Sequence, residues 1–286
     1  MEILAFPLVR LAFPPLGIHL TFCISHLVTV IHSTAVVSPK AEIGNDVEIG
    51  PYCVIGDEVQ IGARSRLHSH LVLEGPVTIG EDNEFYPFSS IGARSQDLKY
   101  SGEPTYAQIG DRNTFREFVT VHRGTSPESP TRIGSDNNFL AYTHVAHDAI
   151  VGDHCILSNA ATLAGHVTVE DHVILSGMAG VHQFCRVGAH SMIGGCTKIV
   201  QDVPPFTIAD GNPAQIRGLN LIGLQRRGFA PEDIRALKTA YKTLFLKKGL
   251  NLTDQIETLN KLDSGSNEKV RQLLDFLRSS ERGIVR

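Results

Sequence analysis

Apolar residues recur along this chain with a period of six. Counting in steps of six from Ile31 to Ile199, 26 of the 29 positions are apolar. The exceptions lie in two polar stretches, which we expect to be loops: Asp97 and Glu103 in 93–108, and Pro127 in 124–132. A period of six fits neither a helix nor a simply alternating strand, but it fits short strands joined by sharp bends. The pattern predicts a parallel β-helix, whose stacked coils bury a continuous column of branched side chains.

Glycine follows many of the apolar positions, as in Ile43-Gly44, Ile61-Gly62, Ile91-Gly92 and Val151-Gly152. Because glycine tolerates backbone conformations that other residues avoid, we predict that these glycines form the bends.

The six-residue pattern resembles that of the hexapeptide-repeat transferases over residues 31–215. The resemblance implies three units per coil and a left-handed triangular prism, an exception to the usual right-handed crossover. Residues 18 apart in an uninterrupted stretch would then lie above one another on the same face.

A differently patterned tail follows the repeat, after 202–205 and the turn at Gly211-Asn212-Pro213. Helical spacing of apolar residues predicts amphipathic helices at 231–247, near 253–262 and at 267–280. The predicted fold is an all-β left-handed parallel β-helix with a C-terminal α-helical domain that caps the last coil. Its divisions are an N-terminal extension (1–30), the β-helix (31–215) and the helical domain (216–286).

The composition of the chain excludes several classes of function. The net charge of −4, with acidic and basic residues interspersed, offers no basic stripe, so we expect no nucleic-acid partner. The five cysteines lack the CxxC spacing of zinc or redox sites, which favours free thiols in a reducing compartment.

Residues 1–30 are rich in Leu, Ile, Phe and Pro and carry only two charges, Glu2 and Arg10. Prolines and Gly17 interrupt the segment, so we expect no integral membrane span. Its composition fits neither a secretory signal nor an organelle presequence well. If the host is a eukaryote, the extension suggests a mitochondrial location; a cytoplasmic location is the alternative.

Histidines concentrate between residues 122 and 190, and two pairs of positions are 18 apart. His147 precedes Gly165 by 18 residues, and Asp148 precedes His166 by 18. Such stacking places a base, an acid and an unhindered backbone amide together, as acyl transfer to a hydroxyl requires. His147 is the candidate general base, Asp148 its orienting partner and the Gly165 amide the oxyanion donor. No Cys–His or Gly-x-Ser-x-Gly element competes as a nucleophile.

Zinc is the alternative use of these histidines, since one class of hexapeptide-repeat trimers hydrates carbon dioxide with three shared histidines. His144 and His147 are three apart, which matches that class poorly and leaves Gly165 without a role. We therefore expect no metal.

Six further segments extend the resemblance to one family, the UDP-N-acetylglucosamine acyltransferases that begin lipid A synthesis. They span most of the chain: Gln96-Asp97-Leu98-Lys99-Tyr100, His122-Arg123-Gly124-Thr125, Ala146-His147-Asp148, Leu163-Ala164-Gly165-His166-Val167, Val181-His182-Gln183-Phe184 and Leu224-Gln225-Arg226-Arg227-Gly228-Phe229.

This resemblance implies a homotrimer without a cofactor, with active sites between neighbouring prisms. Its substrates would be (R)-3-hydroxyacyl-acyl carrier protein and UDP-N-acetylglucosamine, whose 3-hydroxyl is the nucleophile. The implied substrate-binding residues include Gln96, Asp97 and Lys99 in the first loop, and His182. His122, His144 and His166 would position sugar, phosphate or acyl groups, and Gln183 would face the nucleotide. Asn220, Arg226 and Arg227 would hold the uridine diphosphate end.

Three positions qualify the resemblance. Ile222 stands where the family pattern has an acidic nucleotide contact, and Pro213 replaces a histidine near the acyl tail. Gly195 occupies the position resembling the ruler of the acyl groove, which implies a long hydroxyacyl donor. The alternatives are another hexapeptide-repeat acyl- or acetyltransferase acting on a nucleotide sugar, and a binding prism without activity.

Overall fold

The computed structural model describes residues 29–246, 251–261, 265 and 267–286. The targeting prediction depends on residues 1–30, almost all of which lie outside this part of the chain.

Twenty-eight short strands make up the repeat region among the described residues. In chain order they are β1 (Val30–Ile31), β2 (Val36–Val37), β3 (Glu42–Ile43), β4 (Glu48–Ile49), β5 (Val54–Ile55), β6 (Val59–Ile61), β7 (Arg66–Leu67), β8 (Val72–Leu73), β9 (Val77–Ile79), β10 (Glu84–Phe85), β11 (Ser90–Ala93), β12 (Ala107–Ile109), β13 (Thr114–Phe115), β14 (Thr120–His122), β15 (Thr131–Ile133), β16 (Asn138–Phe139), β17 (His144–Val145), β18 (Ile150–Val151), β19 (Ile156–Leu157), β20 (Thr162–Leu163), β21 (Thr168–Val169), β22 (Ile174–Leu175), β23 (Gly180–Val181), β24 (Arg186–Val187), β25 (Met192–Ile193), β26 (Lys198–Ile199), β27 (Thr207–Asp210) and β28 (Gln215–Leu219).

The strands form three sheets, each of which takes every third strand as far as β26. The first sheet runs from β1 through β25 to β27 and β28, the second from β2 to β26 and the third from β3 to β24. Neighbouring strands are parallel except for the final pair of β27 and β28. These sheets are the faces of the predicted parallel β-helix. A bend follows each strand, and we call the bends that follow strands of the first, second and third sheets the first, second and third corners.

The phased apolar side chains fill the interior of the coils. Phe85, Phe115 and Phe139 are fully buried and stack with centroid separations of 4.7 and 4.8 Å. The six-residue period therefore produces one continuous core, as the sequence predicts.

Both predicted loops leave the second corner. The pairing step is 18 residues between His144 and Thr162, but it is 24 from Thr120 to His144. One loop joins β11 to β12, and the other joins β14 to β15. The loops therefore lie over one edge of the prism.

The glycines after the apolar positions do not form the bends, so that prediction is wrong. The left-handed backbone occurs two residues later, at positions such as Asp46 (φ 57°) and His166 (φ 60°), and only Gly92 of the predicted set has a positive φ. A Cβ at Gly44 would lie 2.7 Å from the backbone nitrogen of Ala63 in the next coil. Glycine is needed there because adjacent coils approach closely.

Four α-helices follow the last strand within the described residues: α1 (Leu221–Arg226), α2 (Pro231–Tyr241), which continues as a π-helix over Lys242–Leu246, α3 (Leu252–Asn260) and α4 (Glu268–Arg278). Their buried side chains form a second core that includes Phe206 and Ile284, whereas Val285 joins the core of the β-helix. The helices thus cap the last coil, although α1 was absent from the predicted set. No helix in the described part of the chain is long and apolar enough to cross a membrane.

Candidate active site at the second corner

The second corner brings His147 and Gly165 together in adjacent coils. His147 and Asp148 follow β17, and Gly165 and His166 follow β20, which pairs with β17. The backbone N–H of His166 donates to the carbonyl oxygen of His147 at 3.1 Å. The predicted 18-residue stacking therefore holds at this position.

His147 and Asp148 form a hydrogen-bonded dyad. Nδ1 of His147 lies 2.7 Å from Oδ2 of Asp148, whose side chain is completely buried. Burial alone would raise the pKa of Asp148, but hydrogen bonds from the Thr125 backbone and from His147 outweigh it, so this pKa lies below its usual value. The ionised carboxylate favours a proton on Nδ1 and leaves Nε2 as a proton acceptor.

Gly165 lies against the His147 ring. A Cβ at this position would overlap the imidazole, 2.6 Å from Nε2. The Gly165 N–H has no hydrogen-bond acceptor among the described residues. At the third corner, by contrast, the equivalent amide of Asp153 donates to Asp171 Oδ1 at 2.9 Å. A free amide beside a base can donate a hydrogen bond to an oxygen that becomes negatively charged during a reaction.

Thr125 and Ser95 connect the two loops to the dyad, and sequence reasoning assigned neither a role. The Thr125 hydroxyl lies 3.0 Å from His147 Nδ1, and its N–H donates to Asp148 Oδ1 at 2.9 Å. The Ser95 hydroxyl lies 2.9 Å from that of Thr125 and accepts the N–H of Asp97 at 3.1 Å. In the sequence, the only sign of such a role was that Thr125 ends the segment His122-Arg123-Gly124-Thr125, which resembles the family.

His122 and His144 lie beside the dyad on the second face. Their rings meet edge to face with centroids 5.0 Å apart, and His144 Nδ1 lies 2.7 Å from the Thr120 hydroxyl. Burial, reinforced by the neighbouring histidines, lowers the pKa of His122 to about 4 and also lowers that of His144. Both rings are therefore neutral near pH 7 and would contact a substrate through hydrogen bonds rather than charge.

The remaining predicted residues of this corner lie in the first loop and in the next coil. Ligand atoms of Asp97, His147 and His166 come within 4.8 Å of one another, whereas His144 is not in this group. Gln96 and Lys99 are exposed in the same loop. His182 and Gln183 follow β23, which pairs with β20, and are exposed one coil beyond Gly165.

Four predicted residues lie away from the second corner: Gly195 at the first corner, and Asn220, Arg226 and Arg227 at helix α1. Gly195 follows β25 of the first sheet, where a Cβ would meet only Gly177 O at 3.5 Å. Asn220 is buried, caps α1 through Gly223 N (3.1 Å) and donates to His190 O at 2.9 Å. Arg226 is exposed, and burial lowers the pKa of Arg227, which interacts electrostatically with His190. Their substrate contacts stay predictions.

Comparison with known proteins places this architecture among characterised families. Residues 40–75 match the family described as bacterial transferase hexapeptide, and residues 202–285 match domain 2 of UDP-N-acetylglucosamine O-acyltransferase. The acyl-(acyl-carrier-protein)–UDP-N-acetylglucosamine O-acyltransferase of Herminiimonas arsenicoxydans is 49% identical over 262 residues, covering 90% of this chain and all of that protein.

Solved structures agree with the sequence comparison. The UDP-N-acetylglucosamine O-acyltransferase of Moraxella catarrhalis is 44% identical, with a TM-score of 0.86 over 90% of this chain and 99% of that one. The Arabidopsis UDP-N-acetylglucosamine acyltransferase is 34% identical, with a TM-score of 0.82 over 90% of this chain and 100% of that one.

The coils and the matched repeats define a hexapeptide-repeat transferase. Within that class, the chain belongs to the UDP-N-acetylglucosamine O-acyltransferase family.

Proposed function

We propose that this chain transfers an (R)-3-hydroxyacyl group from acyl carrier protein to the 3-hydroxyl of UDP-N-acetylglucosamine, the first step of lipid A synthesis. The observation that carries the proposal is the His147–Asp148 dyad facing the free Gly165 amide, in a chain that is 49% identical to a curated acyltransferase with these substrates in its name. No cofactor enters the reaction.

The reaction needs one base and one oxyanion donor. His147 Nε2 accepts the proton of the sugar 3-hydroxyl while the oxygen attacks the thioester carbonyl carbon. The Gly165 N–H donates to the carbonyl oxygen as it becomes an oxyanion. When the tetrahedral intermediate collapses, the C–S bond breaks and the imidazolium returns its proton to the departing thiolate. Asp148 stabilises the imidazolium throughout and exchanges no proton.

The surrounding residues would position the two substrates. Asp97 and Lys99, in the first loop, would meet the glucosamine and the diphosphate. The neutral rings of His122 and His144 would hydrogen-bond sugar or acyl groups, and Gln183 would face the nucleotide.

A homotrimer would complete the site. Gly195 lies at the first corner, and Asn220, Arg226 and Arg227 lie at helix α1, away from the corner of His147, so a neighbouring prism would have to supply them. An exposed column of rings at the first corner offers apolar contact area: Tyr52, Phe88, Phe118 and Tyr142. For a eukaryotic host we further propose a mitochondrial location, with a cytoplasmic location as the alternative.

The overall reaction is tested with purified full-length protein, UDP-N-acetylglucosamine and (R)-3-hydroxyacyl carrier proteins of graded chain length. Mass spectrometry should find a sugar nucleotide heavier by one hydroxyacyl group. Absence of that product with every donor would contradict the proposal.

We expect Gly195→Met to shift the preferred donor towards shorter chains. A Cβ at this position would meet only Gly177 O, at an ordinary contact distance of 3.5 Å, so the substitution should not disturb the coil. The longer side chain would then shorten the acyl groove that the family resemblance implies. Competition assays with mixed donors give the ratio of kcat/KM values for each length. An unchanged preference would show that Gly195 does not limit chain length.

We expect Thr125→Val to lower kcat/KM by about 10-fold or more, since a hydrogen bond to a charged group contributes about 1.5–3 kcal/mol. The change removes the hydroxyl beside His147 Nδ1 and keeps the backbone N–H of residue 125, which donates to Asp148. Thr125→Ser, which retains the hydroxyl, should restore most of the activity. Equal activities of the Val and Ser variants would show that the hydroxyl does not orient the base.

A further inference from the structure

We propose that a divalent transition-metal ion of the Zn²⁺ type binds at the second corner through Asp97, His147 and His166. Each of these residues offers one ligand atom, and the three atoms lie within 4.8 Å of one another in a half-buried position. Two imidazoles and a carboxylate with an open fourth position are a donor set that zinc accepts.

One carboxylate lies beside both imidazoles. Asp148 Oδ2 is hydrogen-bonded to Nδ1 of His147 at 2.7 Å and lies 3.5 Å from Nε2 of His166, which is an ion-pair contact and not a hydrogen bond. We therefore assign the nitrogens that face away from Asp148, His147 Nε2 and His166 Nδ1, as the ligands. Histidines that bind metals usually have such a carboxylate behind them, because it fixes the tautomer and strengthens the ligand.

The third ligand is held by its loop but retains a free oxygen. The Asp97 backbone is tied to the Ser95 hydroxyl at 3.1 Å, and Asp97 Oδ1 accepts the N–H of Lys99 at 2.9 Å. Bonds of about 2.0–2.1 Å in a tetrahedral site place ligand atoms about 3.3 Å apart. A bound ion would therefore draw the three ligand atoms closer together than the 4.8 Å within which they now lie.

Metal binding would oppose catalysis, because the ion occupies the lone pair of His147 that accepts the substrate proton. This inhibition rests on the proposed function, whereas binding itself does not. The corner would then exist in two exclusive states, one that holds the metal and one that carries out acyl transfer.

The test is a calorimetric titration of the full-length protein with zinc chloride in a buffer that does not chelate zinc, without substrate. We expect one site per chain, with affinity lowered at least 10-fold by His166→Asn and by Asp97→Asn. His154→Asn is the matched control: His154 also has left-handed backbone, at φ 56°, but lies at the third corner. Asparagine tolerates that conformation, so both histidine variants should fold.

Binding to the His154 variant should equal that of the unchanged protein. Absence of saturable binding, or equal affinity in the His166 and His154 variants, would overturn the proposal. Zinc should also inhibit acyl transfer, with recovery after EDTA. Site-specific zinc binding by a protein that transfers no acyl group would refute the proposed function and leave the metal site standing.

Discussion

Replacing His147 by asparagine is expected to lower kcat for acyl transfer by about 10²–10⁴-fold, the usual contribution of a general base. Asparagine keeps a polar side chain next to Asp148 but has no nitrogen that accepts a proton near neutral pH. Steady-state rates from the mass-spectrometric product assay give the ratio, and circular dichroism checks that the β-helix remains.

The same substitution also distinguishes whether His147 acts as a general base or only contacts the substrate. If kcat stayed within about 10-fold of the unchanged enzyme, the proton would have to leave by another route, since loss of a base costs more than that. The dyad would then have a structural role only.

A methyl group at Gly165 is expected to reduce kcat by about 10²–10³-fold, the effect of losing one oxyanion donor. In Gly165→Ala the new Cβ would overlap the His147 imidazole. The ring or the backbone of the next coil must move, so the base and the amide no longer face the same point.

Gly180→Ala is the matched control for this change, because no atom lies within 4 Å of a Cβ added there. It lies within β23, the strand of the same sheet one coil later, and should retain the kcat of the unchanged enzyme. Comparable activity of Gly165→Ala and Gly180→Ala would show that close packing of Gly165 on the imidazole is unimportant for transfer.

The coil and the juxtaposition of His147 and Gly165 could be predicted because both follow from periodic spacing, once the family resemblance supplies the number of units per coil. A period of six determines which side chains enter the core, and three units per coil place His147 beside Gly165. The two loops were recognisable for the same reason, since the apolar period fails inside them.

Contacts that depend on irregular backbone could not be predicted in this way. Thr125 reaches the dyad from a loop whose path no repeat determines, and Ser95 reaches Thr125 from another loop. The capping of α1 by Asn220 could not be predicted either, because this helix has only six residues and no strong apolar period. The glycines were misread because the constraint on them comes from the next coil rather than from their own φ.

The proposed reaction requires that His147 accept the proton of the sugar 3-hydroxyl. A crystal structure with bound UDP-N-acetylglucosamine tests it through one distance, from that oxygen to His147 Nε2. We predict about 2.6–3.2 Å, the reach of a general base. A well-ordered sugar whose 3-hydroxyl lies beyond one bridging water from Nε2, or faces another side chain, would show that His147 is not the base.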